Sequence, residues 1–143
     1  MPARFYEQYV ISKLKDQRKR SAFLDTLIIK HIKDIKKIQL SYIFCSDDYL
    51  LQMNQQFLDH DTLTDIITFD MSEGGQELQG EIYISVERVK ENAQKFDTNY
   101  NSELHRVIFH GALHLCGFKD KKDADKKEMR KQEDWCLKEY IKQ

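Results

Sequence analysis

The spacing of apolar residues along the chain changes between the period of a helix and that of a strand. Residues 20–37 carry apolar side chains three or four positions apart, which predicts a helix with one buried face. Residues 39–45, 65–71 and 78–86 are short runs rich in β-branched and aromatic residues, and they predict three strands. A turn containing two glycines separates the last two runs, so these strands are expected to pair as a hairpin.

Capping and charged residues delimit further helices. Ser46, followed by two aspartates, predicts the N-cap of a helix that reaches about residue 58. The patterns over residues 86–96 and 123–140 also predict helices. Because strands and helices interleave, we expect an α+β or α/β class, and favour α+β: a mixed sheet of three or four strands packed against helices, in a single domain over residues 1–143.

The segment from 104 to 116 is apolar on nearly every side of a helix. Asn101 or Ser102 is expected to cap this helix, and Gly117 is expected to end it. A helix that is apolar all round is normally buried, whereas a surface helix has a polar face. We therefore expect this helix at the centre of the fold.

Two histidines interrupt that apolar helix. His110 and His114 are four positions apart, so their side chains lie one above the other on the same side. Buried imidazoles need partners, and one divalent ion satisfies both. Asp120 follows the bend at Gly117 and can offer an oxygen as third ligand. Three protein ligands leave a position open, as in catalytic zinc sites, so the sequence predicts one zinc ion per chain in a metal-dependent hydrolase.

The histidine pair is also compatible with roles that involve no metal. Two histidines at this spacing occur by chance, and structural hydrogen bonds can satisfy both rings. A metalloprotease would carry Glu directly after the first histidine as general base, and Gly111 stands there instead. His105 should point away from the pair, towards the surface or a supporting position. His31 and His60 are expected to be ordinary surface residues.

Composition limits the classes of protein that remain. Apolar residues make up 41% and charged residues 33%, as in folded soluble proteins rather than disordered ones. No apolar run reaches the roughly 18 residues of a membrane helix, and the first residues lack the layout of a signal peptide. A cytoplasmic location is therefore expected. The three cysteines show no C-x-x-C spacing and are expected to be reduced thiols, although one of them, Cys116, lies near the metal motif.

Charge is distributed unevenly although the net charge is only −1. Residues 1–40 and 105–143 are rich in Lys and Arg, whereas residues 41–104 are acidic. Basic residues near the ends, such as those at 18–20 and 121–122, could guide a phosphate backbone, but a solvated surface explains them as well.

Three blocks of sequence resemble the YbeY family of bacterial endoribonucleases. The run from His110 to Phe118 follows the family's H-G-x-L-H-L-x-G-[FY] position by position. Residues 54–69 resemble its N-x-x-[FY]-R…T-D-V-L-S-F, and residues 80–85 resemble its G-D-I-x-I-S. The blocks keep their order and spacing over about residues 40–120.

The chain departs from the family pattern at three positions. The family motif ends in Asp-His, whereas this chain has Lys119-Asp120, so the third ligand would be a carboxylate. Leu58 stands where the family carries an arginine, and leucine cannot stabilise a phosphoryl transition state; Arg106 or Lys119 could supply charge instead. Glu81 replaces the aspartate of the family's Gly-Asp.

The resemblance implies a mixed sheet packed on helices, with the metal helix across it and a cleft beside it. It also implies hydrolysis of single-stranded RNA during maturation of small-subunit ribosomal RNA, and a part in ribosome quality control. Asp65 and Glu81 are candidates for the strand side of the cleft. The alternative is a ribosome-associated assembly factor in which the metal is structural and nuclease activity is weak or absent. A metal-free interaction domain is a third hypothesis.

Overall fold

The computed structural model describes residues 1–58 and 64–143, which form four strands and five helices. The strands are β1 (Ala3–Glu7), β2 (Lys37–Cys45), β3 (Ile66–Asp70) and β4 (Glu77–Ser85). The helices are α1 (Gln17–His31), α2 (Asp47–Phe57), α3 (Val86–Lys95), α4 (Tyr100–Leu115) and α5 (Asp123–Lys142). The α+β class with a mixed sheet is confirmed.

The four strands form one sheet in the order β1-β2-β4-β3. The first three of these strands are parallel, and β3 runs antiparallel to β4. The expected hairpin of β3 and β4 is therefore present. Strand β1 was not predicted: it is a five-residue run whose hydrogen bonds go to β2, more than thirty residues away.

Two predicted helix boundaries were wrong. The helix expected over residues 20–37 ends at His31, because Ile32 is extended and Asp34 has a positive φ of 62°. The following residues, from Lys37, enter β2. Helix α4 begins at Tyr100 rather than after Asn101 or Ser102, because the Oδ1 atom of Asn99 accepts the backbone N–H of Ser102 at 2.8 Å. Ser46 caps α2 as predicted, accepting the N–H of Tyr49.

Helix α4 lies in the core, as its sequence predicts. Its apolar residues are almost fully buried between the sheet and helices α1, α3 and α5. Gly111 shows how closely the helix approaches the sheet: a Cβ atom there would lie 2.9 Å from Ile82 Cγ2 and 3.1 Å from Ile66 Cδ1. The glycine lets α4 pack directly onto β3 and β4, and it leaves no room for the glutamate of a metalloprotease.

The cysteines are packing residues of the fold. All three are free, and Cys45 and Cys136 are buried. Burial raises the pKa of the Cys116 thiol to about 12, and Cys116 is not part of the group of described side chains that could hold a metal ion.

Within residues 1–58 and 64–143, none of the helices has the length and apolar character that crossing a membrane requires.

Candidate metal centre

Helix α4 places His110 and His114 on the side that faces a cleft. Their ring centroids are 5.1 Å apart, as expected for side chains one helical turn apart. Both side chains are partly accessible, 19% for His110 and 35% for His114, although the helix around them is buried. Gly117, at φ 103°, turns the chain after the helix, and three residues later Asp120 faces both rings.

The three predicted ligand atoms converge. The Oδ2 atom of Asp120 lies 3.2 Å from His110 Nε2 and 3.3 Å from His114 Nε2. Two donors that each lie about 2.0–2.1 Å from a tetrahedral ion are about 3.3 Å apart, so these separations match those around zinc. Of the described residues, these three are recognised as a group of side chains that could hold a metal ion.

Glu133 on α5 completes the surroundings of His110, and sequence reasoning missed it. Its Oε2 atom lies 2.7 Å from His110 Nδ1, and the glutamate is only 6% exposed. Because a carboxylate accepts, Nδ1 carries the hydrogen of the ring. Neutral His110 then presents the Nε2 lone pair towards Asp120, which suits a metal ligand.

A network of charges supports this arrangement. Arg106, one turn before His110, donates to Glu133 Oε1 at 2.9 Å and to Asp134 at 2.6 Å. Burial lowers the pKa of His110, but the bond to Glu133 and the charge of Asp120 outweigh it, so the pKa is raised overall. In neutral His110, Nε2 and the Asp120 oxygen are both acceptors and repel each other. Only a proton or a cation between them makes that contact favourable.

The histidines open into a cleft of about 800 Å³. Its lining includes the polar residues on one side of α4, namely Glu103, Arg106, His110 and His114. Asp65 also lines the cleft, as predicted, and burial raises its pKa. Burial likewise raises the pKa of Glu103. Over the part of the chain that the structure describes, the carboxylates of the lining outnumber its lysine and arginine side chains: the carboxylates are Asp65, Asp70, Glu103, Asp120 and Glu133, and the bases are Arg106, Lys121 and Arg130.

Several candidate residues from the sequence lie elsewhere. Glu81 faces a different depression, on the sheet, and accepts a bond from Tyr83 Oη at 3.2 Å. It does not line the metal cleft, so that expectation was wrong. Lys119 likewise contributes to a different depression from the cleft, and Arg106 is already held by two carboxylates. Leu58 lines the cleft.

His105 and His31 both pack against other residues of the fold. His105 points away from the centre as predicted, but it is buried: its Nε2 accepts from Arg20 Nε at 3.1 Å. Arg20 is therefore a core residue, only 2% exposed, rather than part of a basic surface. His31 is half-buried, with its ring edge-on to Phe118. His60 lies outside the described residues.

Comparison with known proteins supports the sequence resemblance. Residues 7–141 match the family described as Endoribonuclease YbeY. The chain belongs to the YbeY family. Its relatives include an Endoribonuclease YbeY of Flavobacterium psychrophilum, which is 58% identical over 100 residues, covering 70% of this chain and 71% of the relative. The Endoribonuclease YbeY of Cytophaga hutchinsonii is 48% identical over 133 residues, covering 93% of this chain and 92% of the relative.

A solved structure extends the YbeY likeness to the fold. The solution structure of TM1509 from Thermotoga maritima superposes with a TM-score of 0.67 at 32% identity. The superposition covers 96% of this chain and 88% of that chain. The arrangement of the sheet and helices that carries the candidate centre is therefore shared with an experimentally determined structure.

Proposed function

We propose that this YbeY-family chain is a metal-dependent endoribonuclease, a single domain over residues 1–143. His110, His114 and Asp120 are its proposed metal ligands, holding one zinc ion per chain. The observation that carries the proposal is the convergence of one carboxylate oxygen and two imidazole nitrogens at 3.2 and 3.3 Å beside an open cleft. Two imidazoles and a carboxylate are a donor set that suits zinc, and the harder carboxylate also tolerates iron or manganese.

A divalent ion held there would supply Lewis-acid catalysis of phosphodiester hydrolysis. The residues of the chain position and surround the reacting group. Glu133 holds the His110 ring in one orientation and one tautomer. Lys121 and Arg130 on the cleft lining attract the phosphates of the strand.

Ribosomal RNA of the small subunit is the proposed substrate, during its maturation and in ribosome quality control. The support for RNA is the name of the relatives, which are endoribonucleases. The choice of ribosomal RNA, and of the cytoplasm as location, rests on the family resemblance and the sequence composition alone.

The test is RNA cleavage by zinc-loaded wild type, His114→Ala and Asp120→Asn, each with and without a chelator. We expect cleavage by the wild type, its loss in the chelator, and its recovery when zinc is added in excess. Both variants should cleave no faster than the chelated wild type. Asp123→Asn removes an exposed carboxylate three residues from Asp120, at the start of α5, and should cleave like the wild type.

A ribosome-associated assembly factor with a structural ion is the second candidate. Leu58 favours it, because an apolar side chain, 41% exposed, lines the cleft where the family resemblance implies an arginine. The same experiment separates the two. Equal background cleavage by wild type and His114→Ala, in samples that bind the small ribosomal subunit, would contradict the nuclease function and support the assembly-factor function.

A further inference from the structure

The cleft extends well beyond the candidate metal centre. Glu103 in the first turn of α4 and His114 in its last turn both line it. The eleven steps from Glu103 to His114 rise about 16 Å along the helix axis, so the cleft follows α4 for most of its length. Phe96 lies four residues before the start of α4 and lines the same cleft. It therefore marks the end that is remote from His114 and Asp120.

Phe96 has a largely exposed aromatic side chain that lines the cleft. It ends α3, its side chain is 57% exposed, and it lines the cleft together with Asn92, one turn earlier on the same helix. The Nζ atom of Lys95 lies 5.8 Å from the centroid of the Phe96 ring. On the α2 side of the cleft, Leu58 is 41% exposed. Besides its charged groups, the cleft lining thus offers an aromatic ring, an apolar side chain and an amide.

Charge alone does not explain how the cleft would hold a nucleic acid. Among the described residues, five carboxylates and three basic side chains line it, so their attraction for phosphate is weak along much of its length. An unpaired nucleobase is flat, neutral and able to stack, which fits an exposed phenylalanine, and its polar edge fits a side-chain amide. A paired base is already stacked within its helix and is not available to the ring.

We infer that Phe96 is a stacking site for an unpaired nucleobase of the strand that crosses the candidate metal centre. The inference rests on the proposed function for the identity of the strand as RNA. Leu58 and Asn92 line the same cleft, and the stacked base lies near the start of α4, away from His114 and Asp120.

The test compares Phe96→Leu with Phe57→Leu. Phe57 is the matched control because it is also an exposed phenylalanine, 59% accessible, at the end of a neighbouring helix. Over the described residues, the cleft lining includes Leu58 but not Phe57. Binding of a fluorescently labelled short single-stranded RNA is measured by anisotropy, and the RNA is checked for cleavage afterwards. Phe96→Leu should weaken binding by about 5- to 150-fold, the range for one base–aromatic stack, and Phe57→Leu should bind like the wild type.

A series of RNAs, each with one abasic nucleotide, locates the stacked base. In the wild type, one abasic position should weaken binding as much as Phe96→Leu does. In the Phe96→Leu protein the same abasic RNA should bind no worse than the intact strand, because this variant already lacks the stacking contact that the abasic RNA cannot make. Equal affinities of wild type and Phe96→Leu, equal losses in both phenylalanine variants, or abasic effects that persist unchanged in Phe96→Leu would overturn the inference.

Cleavage kinetics keep this inference separate from the proposed function. Phe96→Leu should raise KM and leave kcat unchanged, since the ring binds substrate away from the reacting phosphate. Cleavage by the wild type with an unchanged KM in Phe96→Leu would contradict the stacking site and leave the nuclease intact. Absence of metal-dependent cleavage in the wild type, with the binding differences present, would contradict the nuclease and leave the stacking site intact.

Discussion

The Oε2 atom of Glu133 lies 2.7 Å from His110 Nδ1, which connects α5 to the candidate metal centre on α4. Glu133→Ala should weaken zinc binding by about 10- to 100-fold, the usual effect of losing the carboxylate behind a ligating histidine. Glu133→Gln should lose less, because its amide oxygen still accepts from Nδ1. Competition with a chromophoric chelator measures the Kd.

The control for this prediction is Glu128→Ala, which removes an exposed carboxylate of the same helix. It should bind zinc like the wild type. If Glu133→Ala binds zinc with unchanged affinity, the glutamate has no role in orienting His110.

The contact of Gly111 with the sheet predicts a stability effect. Gly111→Ala would place a methyl group 2.9 Å from Ile82 Cγ2, so either α4 or the sheet has to shift. Overpacking of this kind costs about 1–3 kcal/mol in free energy of unfolding. Urea unfolding of the metal-free protein measures the change as a lower midpoint at an unchanged m-value.

Gly75→Ala is the matched control, because nothing lies within 4 Å of an added Cβ atom there. Its free energy of unfolding should equal or slightly exceed that of the wild type. A Gly111→Ala protein as stable as Gly75→Ala would show that α4 does not pack on β3 and β4 as closely as described.

The buried pair of His105 and Arg20 predicts how stability depends on pH. Burial lowers the pKa of His105, and the charges of Arg20 and Lys19 on α1 lower it further. The hydrogen bond to the backbone of Asn101 raises this pKa but does not cancel the other effects. Tyr140 of α5 stacks on the His105 ring. Above about pH 6.5 the ring is neutral in both the folded and the unfolded state, so its ionisation does not change the free energy of unfolding. Below it, the unfolded chain binds a proton that the folded protein excludes, so the free energy of unfolding falls as the pH falls towards the folded-state pKa.

His105→Gln removes this proton uptake and keeps an acceptor for Arg20. The free energy of unfolding, measured in urea between about pH 8 and pH 5, should fall less steeply with acidification than in the wild type, by up to about 1.4 kcal/mol for each unit by which the pKa is lowered. Parallel pH curves for the two metal-free proteins would contradict a buried, neutral His105.

Removal of the ion should lower the melting temperature. A ligand present at 100 times its Kd stabilises the folded state by about 2.7 kcal/mol, and a chelator removes that contribution. Thermal unfolding of wild type should therefore shift downwards in a chelator titration, whereas His114→Ala should melt at one temperature throughout. A wild-type transition that does not move would count against a bound ion.

Local patterns in the sequence were sufficient for much of the fold and for the convergence of the three candidate ligands. His110 and His114 lie one helical turn apart, and Asp120 follows a bend that Gly117 makes possible, so their convergence depends on a few consecutive residues. Glu133 is twenty-three residues from His110, and only the packing of α5 on α4 brings it there. No local pattern marks it.

The errors have the same physical origin. Ile32 and Ile35 continue the apolar spacing of α1, yet they contact the core from a turn rather than from a helix. The sequence suggests that Arg20 belongs to a basic surface, but in the structure Arg20 is buried against His105. Strand β1 exists because β2 offers it a parallel partner. Each case depends on contacts between distant segments.

The most direct test of the proposed metal centre is the metal content of untagged purified protein, measured by elemental analysis of wild type, His114→Ala, Asp120→Asn and Asp123→Asn. We predict close to one zinc ion per chain in the wild type and in Asp123→Asn, and a strongly reduced content in the other two. Equal metal content in all four proteins, or a folded wild type that carries no divalent ion after incubation with zinc, would contradict the His110–His114–Asp120 site.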